Sequence, residues 1–96
     1  MKMAISVKLI GALRHAAVAD RLFVDYREGF TVRELIKDIT AQTPGFKGNL
    51  IDPHLKDPWL SALVLVNTTE TSALNGLETI LQDGDEVVLV PVVHGG

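Results

Sequence analysis

The chain ends in the stretch Leu81-Gln82-Asp83-Gly84-Asp85-Glu86-Val87-Val88-Leu89-Val90-Pro91-Val92-Val93-His94-Gly95-Gly96. Its polar residues 82–86 predict a tight turn in which Gly84 takes a positive φ. The apolar run from Val87 to Val90 predicts a buried strand. A strand this apolar is typical of a position inside a sheet, so the rest of the chain must supply its neighbours and a covering layer.

The N-terminal residues supply the expected neighbour. Residues 4–10 alternate apolar and polar side chains, with Ile5, Val7 and Leu9 on one face, which is the pattern of a half-buried strand. Gly11 ends this strand, residues 12–17 can form a short helical turn, and residues 22–27 form a second β-rich run. The two runs predict an antiparallel hairpin with an enlarged loop. We expect the first and last strands of the chain to be the buried central pair.

The clearest local signal is the sequence Thr31-Val32-Arg33-Glu34, which fits a capping box at the start of a helix. Phe30 and Leu35 are spaced as a hydrophobic staple across that start. Pro44-Gly45 closes the element, so one amphipathic helix is expected from about 32 to 42. Its apolar stripe should face the core and not a binding groove. The stripe consists of Val32, Leu35, Ile36 and Ile39.

The remaining segments predict shorter elements. Residues 46–59 read as a long connection pinned by Trp59. Residues 63–67 predict a third strand, and residues 68–72 a polar turn. Residues 73–81 predict a short strand or bridge followed by a helical turn.

Length and composition limit the class of protein. With 96 residues the chain makes one domain, and its 47% hydrophobic and 22% charged residues are typical of a soluble globular protein. It has no apolar stretch long enough to span a membrane and no signal or transit pattern, which predicts a cytoplasmic protein. The net charge of −3 and the scattered basic residues argue against nucleic-acid binding.

The composition also argues against several chemistries. The chain has no cysteine, which removes disulfides, iron–sulfur clusters and thiol catalysis. The three histidines, His15, His54 and His94, lack ligand spacing, so no metal site is predicted. No phosphate-binding loop and no ordered catalytic triad is visible.

The order of elements predicts an α+β fold of the β-grasp (ubiquitin-like) type, in which one main helix packs on one face of a mixed sheet. We place this domain at residues 1–90 and a flexible Gly-Gly tail at residues 91–96. The last residues of the tail are expected to be disordered or extended away from the domain. Glycine has no Cβ, so Gly95 and Gly96 can enter narrow channels that are closed to other residues. The carboxylate of Gly96 is therefore the reactive group that the sequence offers.

The C-terminal stretch resembles the signature of the ubiquitin-like sulfur carriers of the MoaD/ThiS type: a turn, an apolar strand, a proline and a terminal Gly-Gly. The start of the chain, with Gly11-Ala12-Leu13-Arg14 after a strand, is similar to that of MoaD proteins, and the strand ending at Asn67 also matches. The segment Pro44–Trp59 is longer than in a minimal MoaD or ThiS. His94 before Gly-Gly resembles the eukaryotic ubiquitin-related modifier of the same group.

This resemblance implies that Gly96 is adenylated by an enzyme of the ubiquitin-activating type, which uses ATP with Mg, and then becomes a thiocarboxylate. No cofactor bound to the chain itself is implied. The first expected role is the small subunit of molybdopterin synthase, which donates sulfur beside the large subunit in molybdenum or tungsten cofactor synthesis. A carrier for tRNA-thiolation enzymes, or a modifier joined to lysines through Gly96, is the alternative. A non-catalytic β-grasp interaction module is the alternative from another class.

Strand alternation predicts where such partners bind. If Val87 and Leu89 face the helix, Val88 and Val90 face outward. Outward-facing leucines of the third strand would then complete an apolar patch beside the tail. The residues predicted to bind partners are Leu63, Leu65, Val88, Val90, Pro91 and His94.

Overall fold

The structure is a computed structural model, which describes residues 3–17, 19–43 and 62–91. Five strands and two α-helices make up its regular elements. In chain order they are β1 (Ala4–Leu9), α1 (Ala12–Ala17), β2 (Arg21–Asp25), α2 (Val32–Gln42), β3 (Ala62–Val66), β4 (Thr69–Glu70) and β5 (Glu86–Pro91). Two single turns of 3₁₀ helix, Thr71–Ala73 and Gly76–Glu78, lie between β4 and β5.

The strands form one mixed sheet in the order β2-β1-β5-β3-β4. β1 and β5 are parallel neighbours inside the sheet, and the other pairs are antiparallel. The predicted hairpin of the first two strands and the predicted pairing of the first and last strands are both confirmed. The mixed sheet with one main helix confirms the α+β fold of β-grasp type.

The core lies between the sheet and α2. Every residue of the predicted helical stripe is fully buried, as are Phe30 before the helix and the inward-facing residues of β1. Burying a large aliphatic side chain contributes about 1.5–3 kcal/mol, so this layer dominates the stability of the domain. The fully buried side chains of the two layers are Ile5, Val7, Leu9, Phe30, Val32, Leu35, Ile36, Ile39, Val87 and Leu89.

The start of α2 has the predicted capping box. The Thr31 hydroxyl accepts a hydrogen bond from the Glu34 backbone N–H at 3.2 Å, and the Glu34 carboxylate accepts one from the Thr31 backbone N–H at 3.2 Å. The Thr31 backbone N–H, followed by the Thr31 hydroxyl, lowers the pKa of Glu34, and Arg27 adds to this effect. The helix boundaries of 32 and 42 are those expected from the sequence.

Three short features differ from the expectations. The polar turn lies at Asn67 and Thr68, whose φ values are 48° and 75°, and the chain then returns as β4 where a longer turn was predicted. Between residues 71 and 80 the helical turns come first and the bridge of Ile80 to Thr31 follows, so the predicted order was wrong. Pro91, placed in the tail by the sequence, is the last residue of β5 and pairs with Ala62.

Several expectations concern residues outside the described ranges. These are the connection of residues 46–59 with Trp59, the closing Pro44-Gly45, and the conformation of the tail beyond Pro91. In the described part of the chain, no helix combines the length and the apolar character that crossing a bilayer requires.

Candidate functional site

The side chains of β5 alternate between the core and the outer face of the sheet. Val87 and Leu89 are fully buried, whereas Val88 and Val90 are only partly covered. The predicted face assignment of this strand is therefore confirmed. Because α2 covers the inner face, Val88 and Val90 lie on the outer face, which no helix of the described residues covers.

β3 places its own outward leucines beside these valines. Leu63 pairs with Val90 and Leu65 with Val88, while Val64 and Val66 point into the core. The Asn67 backbone N–H donates to the Glu86 carbonyl at 2.8 Å, which makes the two outward pairs hydrogen-bonded pairs with Cα atoms about 5.5 Å apart. Leu63, Leu65, Val88 and Val90 thus form one continuous surface, here called the apolar patch.

Charged residues border the apolar patch on both sides. Lys8 of β1 lies beside Val88 and is exposed, and Glu70 of β4 lies opposite Leu65 and is also exposed. Lys8 has no ion pair within the described ranges. A partner that covers the patch can therefore gain an electrostatic contact at each border, which favours one orientation of docking.

A polar network crosses the outer face at the other end of β5. The Arg21 guanidinium donates through Nη1 to the Ser6 hydroxyl and to Glu86 Oε2, the latter at 2.9 Å. This network joins β2, β1 and β5 in one line across the sheet. Asn67, which lies opposite Glu86, extends this polar end of the sheet and donates through its side-chain amide to Asp85 Oδ1 at 2.8 Å. The patch therefore has a polar end and an end that leads to the tail.

The root of the tail is held by a close contact with Gly11. Gly11 has φ 61°, and a Cβ added to it would lie 3.3 Å from Pro91 Cγ. The positive φ favours glycine at this position, and a Cβ would oblige Pro91 to shift by a few tenths of an ångström. The Ile10 backbone N–H donates to the Leu89 carbonyl at 3.1 Å, which ties the same segment to β5. Pro91 thus leaves the sheet from a defined position next to the patch.

Of the predicted site residues, Leu63, Leu65, Val88 and Val90 share the outer face of the sheet, whereas Pro91 follows Val90 in β5 and has the opposite direction in the strand alternation. His94, Gly95 and Gly96 lie outside the described residues. No group of three or more metal-ligating side chains occurs within residues 3–17, 19–43 and 62–91.

Sequence reasoning did not assign Lys8 or Gly11 to this site. Lys8 was visible only as a polar residue in an alternating strand, because its place beside Val88 depends on the parallel pairing of β1 with β5. Gly11 was read as a strand terminator, and only its contact with Pro91 gives it a second role. No pattern in the sequence reports either contact.

Comparison with known proteins matches this arrangement to one family. Residues 7–96 match the family model described as "ThiS family". "Small archaeal modifier protein 3" of Haloferax volcanii is 28% identical over 94 residues, which cover 98% of this chain and 100% of that protein.

Two solved structures have the same fold over nearly the whole chain. The small archaeal modifier protein 1 of Methanosarcina acetivorans is 28% identical with a TM-score of 0.80, covering 100% of this chain and 99% of that one. A putative molybdopterin converting factor, subunit 1, of Pyrococcus furiosus is 26% identical with a TM-score of 0.75, covering 95% and 99%. The names of these relatives describe small archaeal modifiers and a subunit of a putative molybdopterin converting factor.

Proposed function

Since this chain belongs to the ThiS family, we propose that it is a sulfur carrier whose Gly96 carboxylate is adenylated, thiocarboxylated and used as a sulfur donor in molybdopterin synthesis. The proposal uses two parts of the molecule. The apolar patch binds the partner enzyme, and the tail beyond Pro91 delivers the carboxylate to the active site of that enzyme.

The observation that carries the proposal is the position of the apolar patch beside Pro91, the residue from which the tail continues. Five residues, 92–96, separate Pro91 from the terminal carboxylate. A fully extended chain of that length reaches about 17 Å. An enzyme that covers the patch can therefore hold the domain while its active site, a short distance away, receives Gly96.

The chemistry takes place at the carboxyl group of Gly96. A carboxylate oxygen attacks the α-phosphorus of ATP in the activating enzyme, and pyrophosphate leaves. Sulfide supplied by the sulfur donor then attacks the acyl carbon and displaces AMP, because adenylate is a good leaving group, so that sulfur takes the place of one carboxylate oxygen. The resulting thiocarboxylate donates its sulfur in the second partner, the large subunit of molybdopterin synthase.

The first test is the mass of the intact protein after incubation with the cognate ubiquitin-activating-type enzyme, Mg-ATP and a sulfur donor. The expected result is the replacement of one oxygen by sulfur at Gly96. Deletion of Gly96 is the matched control, which should abolish the change and leave thermal unfolding nearly the same. An unchanged mass with every such enzyme of the source organism would contradict carrier function and favour a non-catalytic interaction module.

The destination of the sulfur needs a second measurement. The thiocarboxylated protein is mixed with the molybdopterin synthase large subunit and the sulfur-free precursor of molybdopterin. The formation of molybdopterin is then followed. Similarity to the Pyrococcus furiosus protein described as a molybdopterin converting factor supports this destination. Failure to form molybdopterin with a fully thiocarboxylated protein would direct the search to another acceptor, such as a tRNA-thiolation enzyme.

A second candidate function is covalent modification of proteins. It is favoured by the match along the full chain to a protein named small archaeal modifier protein 3. The chain has no lysine or arginine after Lys56, so a trypsin digest would leave a very long remnant on a target lysine. A Val93→Arg variant would shorten this remnant to His-Gly-Gly. Peptides with this remnant in cells that express the variant would support modification, and their absence beside an intact thiocarboxylate would support sulfur donation alone.

A further inference from the structure

One edge of β2 is not paired with any strand of the described residues, and it is here called the open edge. β2 is the first strand of the sheet, and its only partner within the described ranges is β1. The Leu9 backbone N–H donates to the Asp20 carbonyl at 2.9 Å, and the Tyr26 backbone N–H donates to the Met3 carbonyl at 2.9 Å. In an antiparallel ladder such hydrogen-bonded pairs alternate with pairs that are not hydrogen-bonded. Within this register, the backbone N–H and C=O groups of Leu22 and Val24 therefore form hydrogen bonds with β1.

The alternate residues Arg21, Phe23 and Asp25 direct their backbone N–H and C=O groups away from β1, toward the open edge. Such an edge is a template for another strand, and natural proteins usually shield it with prolines, charged side chains or a covering segment. The charges of β2, Arg21 and Asp25, are opposite in sign, so in an antiparallel pair with a second copy they attract one another. β2 contains no proline, and Phe23 at its centre is 67% exposed.

The side chains of this edge are complementary to themselves. Val24 points into the core, so Arg21, Phe23 and Asp25 share the outer face of the sheet. The aromatic residue lies in the middle, with a cation two residues before it and an anion two residues after it. In an antiparallel pair about the central residue, opposite charges face one another at both ends.

We propose that this edge binds a second copy of the chain, with β2 pairing antiparallel to β2 about a two-fold axis at Phe23. Phe23 then lies opposite Phe23 of the second copy, and Arg21 lies opposite Asp25 of the second copy. Every residue in these pairs has its backbone groups pointing to the edge, so the three pairs form about six main-chain hydrogen bonds. Such a contact is isologous, as expected for a closed dimer.

Arg21 can serve both partners in this arrangement. Its contacts with Ser6 and Glu86 use only Nη1, and a guanidinium has five N–H donors. The interaction within the domain therefore persists when Asp25 of the second copy approaches from the open side. The two Phe23 rings are neighbours on one face, where an aromatic pair adds to the backbone hydrogen bonds.

The dimer leaves the proposed carrier function intact. Pairing at β2 forms one continuous sheet with five strands from each copy, and the apolar patches of both copies lie on the same face. β1 and β5 separate the open edge from β3 in each copy, so neither patch is covered. Because the two copies run in opposite directions, their Pro91 residues, from which the tails continue, lie at opposite ends of the joined sheet. The dimer thus presents two independent docking surfaces.

A single strand pair buries far less than the roughly 1,200 Å² of stable interfaces, so we expect a dissociation constant of about 0.1–1 mM. Sedimentation equilibrium should show a monomer at low micromolar concentration and a growing dimer fraction toward 1 mM.

Amide hydrogen exchange by NMR supplies a control within the strand. The amides of Arg21, Phe23 and Asp25 should become protected as concentration rises, whereas those of Leu22 and Val24 should be protected throughout.

Variants separate the proposed edge from other contacts. Phe23→Pro removes the central outward N–H and the aromatic ring, and because this N–H does not bond to β1, an edge strand can accept proline there. It should weaken dimerisation at least tenfold. Leu63→Ser, a change on the same face but outside the edge, should leave it unchanged.

A second pair of variants keeps the test independent of the stability of Phe23→Pro. Asp25→Lys places two cations opposite each other and should weaken the dimer at least threefold, while Asp25→Glu should not. A monomer at 1 mM would overturn the proposal, as would outward amides that are already protected in the monomer, since another segment of the same chain would then cover the edge. A dimer unaffected by Phe23→Pro and Asp25→Lys would overturn it too.

Discussion

At the scale of single residues, Gly11 connects the fold to the tail. It ends β1, it takes a φ of 61°, and it allows Pro91 to approach closely. A Cβ at this position would approach Pro91 Cγ to 3.3 Å, which is closer than an ordinary van der Waals contact. The position of Pro91, from which the proposed reactive tail continues, therefore depends on a residue 80 positions earlier in the chain.

Gly11→Ala should lower the free energy of unfolding by about 1–2 kcal/mol, because an L-residue is strained in the left-handed region. The contact with Pro91 should add to this cost. Gly29→Ala is the matched control, since Gly29 has φ 77° and a Cβ there would meet nothing within 4 Å. Urea denaturation measures both variants. A larger loss for Gly29→Ala than for Gly11→Ala would contradict the role given to the contact.

At the scale of elements, α2 is stabilised at its start by hydrogen bonds that depend on a charge. The Glu34 carboxylate accepts hydrogen bonds from Thr31 and forms an ion pair with Arg27 at 3.5 Å. These contacts favour the ionised carboxylate and lower the pKa of Glu34. A group whose pKa is lowered by folding stabilises the folded state above its unfolded pKa, and this contribution is lost as pH falls through the folded pKa.

Glu34→Gln tests this dependence, because glutamine still accepts the hydrogen bond of the capping box at any pH. The wild-type protein should gain stability relative to the variant as pH rises, with the change occurring below the ordinary glutamate pKa of about 4.3. Above about pH 5.5 the difference between the two proteins should be constant. Thermal unfolding from pH 2.5 to 7 measures it. A difference that is the same at every pH would contradict the assigned cause.

At the scale of the whole molecule, the two faces of the sheet have different roles: the inner face stabilises the fold, and the outer face is the proposed binding surface. The inner face, covered by α2, holds the fully buried residues of β1 and β5. The outer face holds the apolar patch, and the open edge of β2 is the side of the sheet beyond β1. Because neighbouring residues of one strand point to opposite faces, adjacent positions in the sequence should respond very differently to the same substitution.

Val88→Asp and Val87→Asp make this comparison directly. Val88→Asp should leave the domain folded and weaken binding to the activating enzyme at least tenfold, or about 1.4 kcal/mol, because a charge replaces an apolar contact. Val87→Asp should unfold the domain, because it buries an unpaired carboxylate in the core. Circular dichroism and titration calorimetry provide the two readouts. If Val88→Asp unfolds the domain, or if it binds as tightly as wild type, this face is not the docking surface.

Short-range patterns predicted a large part of the fold and of the site. The capping box at Thr31, the alternation of β1 and the alternation of β5 each depend on residues only a few positions apart, and each is confirmed. The face of Val88 and Val90 followed from alternation alone. The turn at Gly84, which has φ 85°, followed from its local composition.

The features that were missed depend on distant residues. β4 exists because Thr69 and Glu70 pair with β3 across a turn at Asn67 and Thr68, two residues that are not glycine but have positive φ. The bridge at Ile80 requires Thr31, and the extension of β5 to Pro91 requires Ala62. In each case the pairing partner is not among the neighbouring residues from which the element was predicted. The local pattern of residues therefore does not predict the pairing.

The amino-acid sequence by itself determined the α+β class, the main helix with its cap and the two faces of β5, because these follow from periodicity and local chemistry. The tertiary structure alone decided which strands are neighbours, and hence that Lys8 borders the apolar patch and that Gly11 contacts Pro91. It also decided that β2 is an edge strand whose central phenylalanine is exposed. The physical reason is that side-chain direction is a property of each strand, whereas strand order depends on how the whole chain buries its apolar surface around one helix.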